Sequence, residues 1–257
     1  MLERTPQAFV NACFSILWNS GYSTLIDDDL RSWVDFLSKE NPGGIVNAAA
    51  NPDFHRLEPD NSFWIAIRER TGDRNIVACI CQRMLETEDF LEEQSSLRLW
   101  YGDNLDGRTP FELAKPKEDY PEIKGLVGHP AGLFVAPTER RNGLAWLLQR
   151  LVRALSIIRW SDMGWQCGTT RGPLVERGIP TNTYGYPNCD LLVDGWFEPS
   201  GLTEQAFMTS IDREEMLLQI ADDLLLIEMN ADKQVGDIVR TARQRHGHAP
   251  VLPAMAA

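Results

Sequence analysis

The stretch Ala131-Gly132-Leu133-Phe134-Val135-Ala136-Pro137-Thr138-Glu139-Arg140-Arg141-Asn142-Gly143-Leu144-Ala145 carries most of the information in this 257-residue chain. Gly132 to Val135 is a short apolar run that reads as a strand, and Pro137 to Gly143 is a polar turn. Beyond it, Leu144, Leu147, Leu148, Leu151, Leu155 and Ile158 recur at helical spacing along one stripe. The order is therefore strand, glycine-containing turn, helix. The first N–H groups of a helix have no intrahelical acceptor and sit at the positive end of its dipole. Such a turn is an anion site, and a phosphate suits it. Gly143 keeps a side chain out of the approach, while Arg140 and Arg141 bring fork-shaped cationic donors. A pyrophosphate could be held here without a large basic surface.

Working outward toward the N-terminus, Phe63 to Ile67 and Ile76 to Cys81 read as two strands. Thr71-Gly72-Asp73 turns between them, which makes an antiparallel hairpin. Cys79 and Cys81 lie two apart and so share one face of their strand. Residues 86–128 are first acidic (Glu86, Glu88, Asp89, Glu92, Glu93), then rich in Gly, Pro and Lys. They predict a strand end, a short helix and a long loop. Two helices open the chain. One starts at Thr5 and Pro6 and carries Phe9, Cys13, Ile16 and Leu17, with Gly21 as its stop. The other starts near Asp27 and Asp28, carries Leu30, Trp33, Val34 and Leu37, and ends at Asn41-Pro42-Gly43-Gly44.

Toward the C-terminus, Trp165 to Gly168 reads as a strand, 170–178 as short or irregular helix, and Cys189 to Val193 as the last strand. From 202 the pattern turns helical. Met216, Ile220, Leu224 and Ile227 form one stripe, Val235, Ile238 and Val239 a shorter one, and the tail from His246 reads as loose. The division expected is a domain over 1–200 and a C-terminal helical extension with a flexible tail over 201–257. The 216–227 stripe fits either a second subunit, giving a homodimer, or an edge of the chain's own sheet.

The composition narrows the function. Hydrophobic residues make up 43% and charged residues 24%, so the chain can bury a core. The net charge of −12 argues against a general grip on nucleic acid phosphates or on an anionic membrane. No apolar run is long enough to span a bilayer, and the first residues are too acidic and too amphipathic for a signal peptide. Five cysteines at irregular spacing do not make a disulfide framework, and no second Cys or His pair at zinc spacing follows Cys79 and Cys81. The expected setting is cytoplasmic and reduced, with no metal.

The run from Leu133 to Ala145 resembles the acetyl-CoA motif of the GNAT N-acetyltransferase superfamily. Arg140, Gly143 and Ala145 fall in the motif's three fixed slots, after an apolar strand and a proline and before an amphipathic helix. The resemblance covers roughly residues 25–195. It implies a mixed α/β sheet with helices on both faces, N-terminal helices before it and the C-terminal helical extension after it. It also implies acetyl-CoA or another acyl-CoA as co-substrate. Backbone amides from Arg141 through Asn142, Gly143 and Leu144 to Ala145 would cradle the pyrophosphate. Phe134 and Val135 would pair with the pantetheine like an added strand. That strand would splay from the next one near Trp165–Gly168, and the acyl carbonyl would lie near the splay.

The reaction implied is acyl transfer to a primary amine by direct attack in a ternary complex. Here the family's pattern breaks. The slot that often holds a tyrosine is Val175, within Leu174-Val175-Glu176-Arg177-Gly178. Tyr184 and Tyr186 are the nearest candidates to protonate the departing thiolate, and each also reads as a core aromatic. His129, at the entry to the motif strand, and Glu86, after the preceding strand, are the candidates to take the amine's proton. Each also reads as an ordinary loop or surface group. The acids of 86–93 suggest a rim that attracts a cationic amine, and Trp100-Tyr101 a wall for it. Trp18, Trp33 and Trp146 are expected in the core. A cysteine relay through Cys167 or Cys189 has nothing nearby in sequence to activate a thiol. Two other readings compete with the enzyme. One is a catalytically weak protein that binds CoA as a sensor or interaction module, and the other an interaction protein without a cofactor.

Overall fold

The computed structural model describes residues 5–40 and 46–246. The expected helix stop at Asn41–Gly44 and most of the expected loose tail lie outside the described residues. The chain runs α1 (Thr5–Asn19), β1 (Tyr22–Asp27), α2 (Leu30–Glu40), β2 (Ser62–Glu69), β3 (Ile76–Thr87), α3 (Phe90–Ser95), α4 (Arg98–Tyr101) and β4 (Gly125–Val135). It continues through α5 (Leu144–Arg159), β5 (Trp165–Arg171), α6 (Gly172–Val175), α7 (Ile179–Asn182), β6 (Asn188–Phe197), β7 (Leu202–Asp212), α8 (Arg213–Glu228) and α9 (Val235–His246).

The seven strands form one mixed sheet in the order β1-β2-β3-β4-β5-β7-β6. Every neighbouring pair is antiparallel except β4 and β5, which are parallel. A parallel pair needs a crossover, and α5 supplies it. Helices cover both faces. On one face α1, α5, α8 and α9 share a core with Ile65, Ile80 and Ile211 of the strands. On the other, α2 packs on Trp64, Cys79, Cys81 and Ala131. Beside it, α3 and α4 pack on Val127, Cys167 and Met208. Cys79 and Cys81 do share a face, fully buried.

Two strands depart from the sequence reading. β1 occupies residues to which the sequence pattern assigns no element between the two helices, and it runs to Asp27, so the second helix starts at Leu30 rather than near Asp27 and Asp28. It is a half-buried edge strand, and its mixed side chains show no alternation. β7 lies in the part read as helical. Its first half, Leu202 to Gln205, is polar and partly exposed, which hides the strand, yet it inserts between β5 and β6. The sheet therefore continues to Asp212. That residue caps α8, its side chain accepting from the Glu215 amide while Glu215 reaches back. β4 also begins earlier than expected, at Gly125, because Leu126 to His129 pair with β3 rather than looping.

The aromatics also divide differently. Trp33 and Trp146 are buried as expected, whereas Trp18 is 56% exposed under the guanidinium of Arg70. Trp100 and Tyr101 are core residues, not a wall. Trp100 meets Phe111 and Phe197, and Tyr101 meets Phe54.

β4 is bent by a bulge. Its register against β3 jumps from Cys81↔Ala131 to Cys79↔Phe134, so one extra residue sits on β4. Gly132 takes the left-handed conformation there, with φ +58°. A Cβ on Gly132 would lie 2.2 Å from Cζ2 of Trp33 on α2. Gly132→Ala is therefore expected to cost about 2–4 kcal/mol, combining left-handed strain with overpacking. Gly107→Ala, at φ +73° with open space around it, should cost only about 1 kcal/mol. Urea unfolding of the two variants tests the difference.

Candidate active site at the opening between two parallel strands

β4 and β5 pair at only two positions, Val127↔Trp165 and Gly128↔Gln166. Beyond them β4 runs on to Val135 and β5 to Arg171 without pairing to each other. Each presents an open backbone edge there. This is the splay that the resemblance implied. The bulge at Gly132 lies within it.

His129 stands where the two strands part. Its Nδ1 is 2.8 Å from the carbonyl oxygen of Cys167. A carbonyl only accepts, so Nδ1 carries the proton and Nε2 keeps its lone pair. Nε2 is buried and has no hydrogen-bond partner among the described residues. The ring lies toward Phe90 of α3, centroids 6.3 Å apart. Gln94, one turn on, donates to Thr169 Oγ1 on β5 (3.1 Å). Burial holds the His129 pKa down to about 4, assisted by Arg83 and His55 and opposed by the Cys167 carbonyl. The imidazole is therefore neutral near pH 7.

Tyr186 approaches from the opposite face. It belongs to the core of α1, α5 and α8 and is 2% exposed. Its hydroxyl is 3.4 Å from Oε1 of Gln166. A Cβ on Gly168 would lie 3.6 Å from that hydroxyl and 4.0 Å from Cγ of Pro130 on β4. Tyr186 thus reaches the opening one residue along β5 from the carbonyl that His129 caps. Burial pushes its phenol well up, and the Arg153 guanidinium pulls it back.

The segment carrying Tyr186 is held by three consecutive carbonyls. Thr183 O accepts from Arg150 Nη1 (2.6 Å), Tyr184 O from Arg153 Nη2 (3.2 Å), and Gly185 O from Gln219 Nε2 (3.0 Å). Arg150 also makes a buried ion pair with Asp223 of α8 (2.6 Å). The C-terminal helix α8 therefore helps to fix Tyr186. These braces were missed in the sequence, although two arginines inside a helix buried on nearly every side are a visible signal.

The other candidates fall elsewhere. The Tyr184 side chain is half-buried against the same core, and burial raises its pKa. Glu86 is exposed and pairs with Leu126 at the closed end of β4. It lies three residues from Arg83, the partner of His129, so roughly 10 Å along the strand. It is not brought to the opening. Cys167 is buried and Cys189 half-buried, with burial pushing the Cys167 thiol up and the Cys189 thiol to about 11. Neither is an activated nucleophile. The acids Glu88 and Asp89 line a 350 Å³ cavity with Lys117, Glu118 and Glu122, a lining that includes neither His129 nor Tyr186. No cluster of three or more metal-ligating side chains occurs among the described residues.

The turn before α5 keeps its free amides. Gly143 caps the helix in the left-handed conformation with no side-chain cap. The N–H groups of Gly143, Leu144, Ala145 and Trp146 meet no acceptor among the described residues, since the first intrahelical bond runs from Leu147 to Gly143. Arg140, Arg141 and Asn142 are exposed beside them, and Arg141 has φ +76°. Glu139 ties the turn down, accepting from Tyr22 Oη (2.5 Å) and Asn142 Nδ2 (2.9 Å). Gly143 has a further role that its sequence does not disclose. A Cβ there would meet Val239 at 2.7 Å and Val235 at 3.1 Å, so α9 packs directly on the turn. Val135 faces the α5 core, and Phe134 faces Phe36 across 5.5 Å.

No family model matches the chain, and no curated protein matches it. Among solved structures it is similar to Arabidopsis thaliana NAA60 in complex with acetyl-CoA, at TM-score 0.49 and 10% identity, covering 75% of this chain and 99% of that one. FeeM, an N-acyl amino acid synthase from uncultured soil microbes, gives TM-score 0.46 and 9% identity, covering 78% and 97%. Dodecameric spermidine N-acetyltransferase from Vibrio cholerae gives TM-score 0.46 and 9% identity, covering 76% and 97%.

The buried, neutral His129 sets a pH dependence. Below about pH 6.5 an unfolded histidine gains a proton that the folded ring refuses until about pH 4. Stability therefore falls as pH drops through that window, by about 2 kcal/mol for this residue at pH 5. His55, likewise held at about 4 by burial and then Arg83, adds in the same direction. Urea unfolding at pH 8 and pH 5 measures the loss, and His129→Gln should remove its own share.

Proposed function

We propose that the chain is a GNAT-fold N-acyltransferase that moves an acetyl or related acyl group from acyl-CoA to a primary amine by direct attack. The observation that carries this reading is the pairing of His129 and Tyr186 on opposite faces of one opening between parallel strands. Direct transfer is helped by one group that takes the amine's proton and a second, separate group that protonates the departing thiolate. The free amides before α5 and the exposed arginines beside them fit a pyrophosphate. The open edge of β4 fits the amides of a pantetheine arm as an added strand. When bound, acyl-CoA supplies the activated thioester.

The roles of the side chains follow from their protonation. The amine nitrogen forms a bond to the acyl carbon while the carbon–sulfur bond breaks. The lone pair of His129 Nε2 is turned to accept an N–H proton, directly or through a water, since Nδ1 is already committed to Cys167 O. A histidine that stays neutral near pH 7 favours an amine arriving uncharged. Tyr186 gives its hydroxyl proton to the departing thiolate. A sensor that binds acyl-CoA without turnover is the second reading, and the strong elevation of the Tyr186 phenol favours it, because a weaker acid donates less readily.

Calorimetric titration with acetyl-CoA tests the cofactor site. Ala145→Asp is the suitable variant, because an acid in the first turn of α5 suits the helix dipole yet repels a phosphate. Wild-type protein should bind in the micromolar range and the variant roughly tenfold more weakly or worse. Against a panel of primary alkylamines, His129→Gln and Tyr186→Phe should each lower acetyl transfer about 100-fold while leaving binding intact. Absence of binding by the wild type would remove both the transferase and the sensor readings.

A further inference from the structure

Arg153 lies at the centre of α5 and is 0% exposed. Its Nε donates to Gln166 Oε1 at 2.8 Å, and its other nitrogens donate to Gln219 Oε1 and to the Tyr184 carbonyl. All three acceptors are neutral. One turn earlier on the same helix, Arg150 has Asp223 as its counter-charge. Arg153 has no ion-pair partner among the described residues. A buried cation held only by neutral groups costs stability that an aliphatic side chain of similar size would not. Its position suggests what offsets that cost. The guanidinium carbon lies 5.1 Å from the Tyr186 ring centroid, and Gln166 Oε1 is shared between Arg153 Nε and the Tyr186 hydroxyl.

We infer that Arg153 is a positioning residue for Tyr186. Through Gln166, whose Oε1 accepts from both, it holds the phenol at the β4–β5 opening; the hydroxyl proton turns from Gln166 Oε1 to a departing thiolate, and the Arg153 charge balances the phenolate left. The inference rests on the proton-donor reading of Tyr186. The charged and titratable groups around the pair are few. Arg150 on α5 and Asp223 on α8 largely compensate each other, while Cys167 on β5 and Tyr184 are neutral in the ordinary range. Arg153 is thus the one uncompensated charge beside the phenol among the described residues.

The test replaces Tyr186 with 3,5-difluorotyrosine, which ionises within the range of the folded protein, and follows its midpoint by fluorine NMR. In Arg153→Met the midpoint should rise by about one pH unit or more. Arg153→Lys should recover at least part of that shift. Should the Met variant fail to fold, Arg153→Gln removes the charge while keeping donors for Gln166, and should give the same rise. An unchanged midpoint in a folded, charge-free variant overturns the inference and leaves Arg153 as a brace for the Tyr184 carbonyl. Acetyl transfer by Tyr186→Phe equal to wild type would instead overturn the proton-donor reading beneath it.

Discussion

β4 and β5 stop bonding to one another after Gly128 and Gln166, and the site depends on that early parting. A parallel pair inside a sheet normally continues, because unpaired backbone groups are costly away from water. Here the bulge at Gly132 bends β4, and Trp33 packs against the bend where a side chain would otherwise be. His129 takes the Cys167 carbonyl that the ladder leaves free. The opening is therefore built into the register of the sheet, with one side chain capping its closed end.

The helical layer behind the opening is unusually polar for a core. Arg150, Arg153 and Gln219 grip the carbonyls of residues 183, 184 and 185, and Asp223 balances one of the two charges. Such networks cost more than apolar packing, and leaving one partner unpaired costs more still. What they give in return is a fixed geometry for the loop that bears Tyr186. This loop follows two four-residue helices, in keeping with the short helix read at 170–178, and Val175 stands in the slot where the resembled family often has a tyrosine. The phenol nearest the opening, Tyr186, lies eleven residues further on. The C-terminal helices also pack on this region, α8 by bracing the loop and α9 by packing on the turn at Gly143.

The strand–turn–helix at 131–158 was legible because period, turn chemistry and helix start agree there. The hairpin of β2 and β3, the shared face of Cys79 and Cys81 and the helical stripe at 216–227 were legible from period and turn chemistry as well. β1 and the first half of β7 were not, since an edge strand and a partly exposed strand carry no strict alternation. His129 and Tyr186 were visible only as candidates among others. Nothing in the local sequence separates them from Glu86 or Tyr184, because what distinguishes them is a register between distant strands. The braces on the Tyr186 loop come from α5 and α8, 31 to 34 residues away along the chain, and spacing alone cannot report such contacts. Trp100 and Tyr101 read as a site wall because aromatics in an irregular region look exposed; Phe54, Phe111 and Phe197, distant in sequence, bury them.

Amide hydrogen exchange with and without acetyl-CoA tests the central claim most directly. If the opening between β4 and β5 takes the co-substrate, protection should rise at Leu133 to Val135 on β4 and at Gly143 to Trp146 at the start of α5, with little change at β1 and β6. Protection confined to other surfaces, such as the acidic cavity at Glu88 and Glu122, would contradict the account.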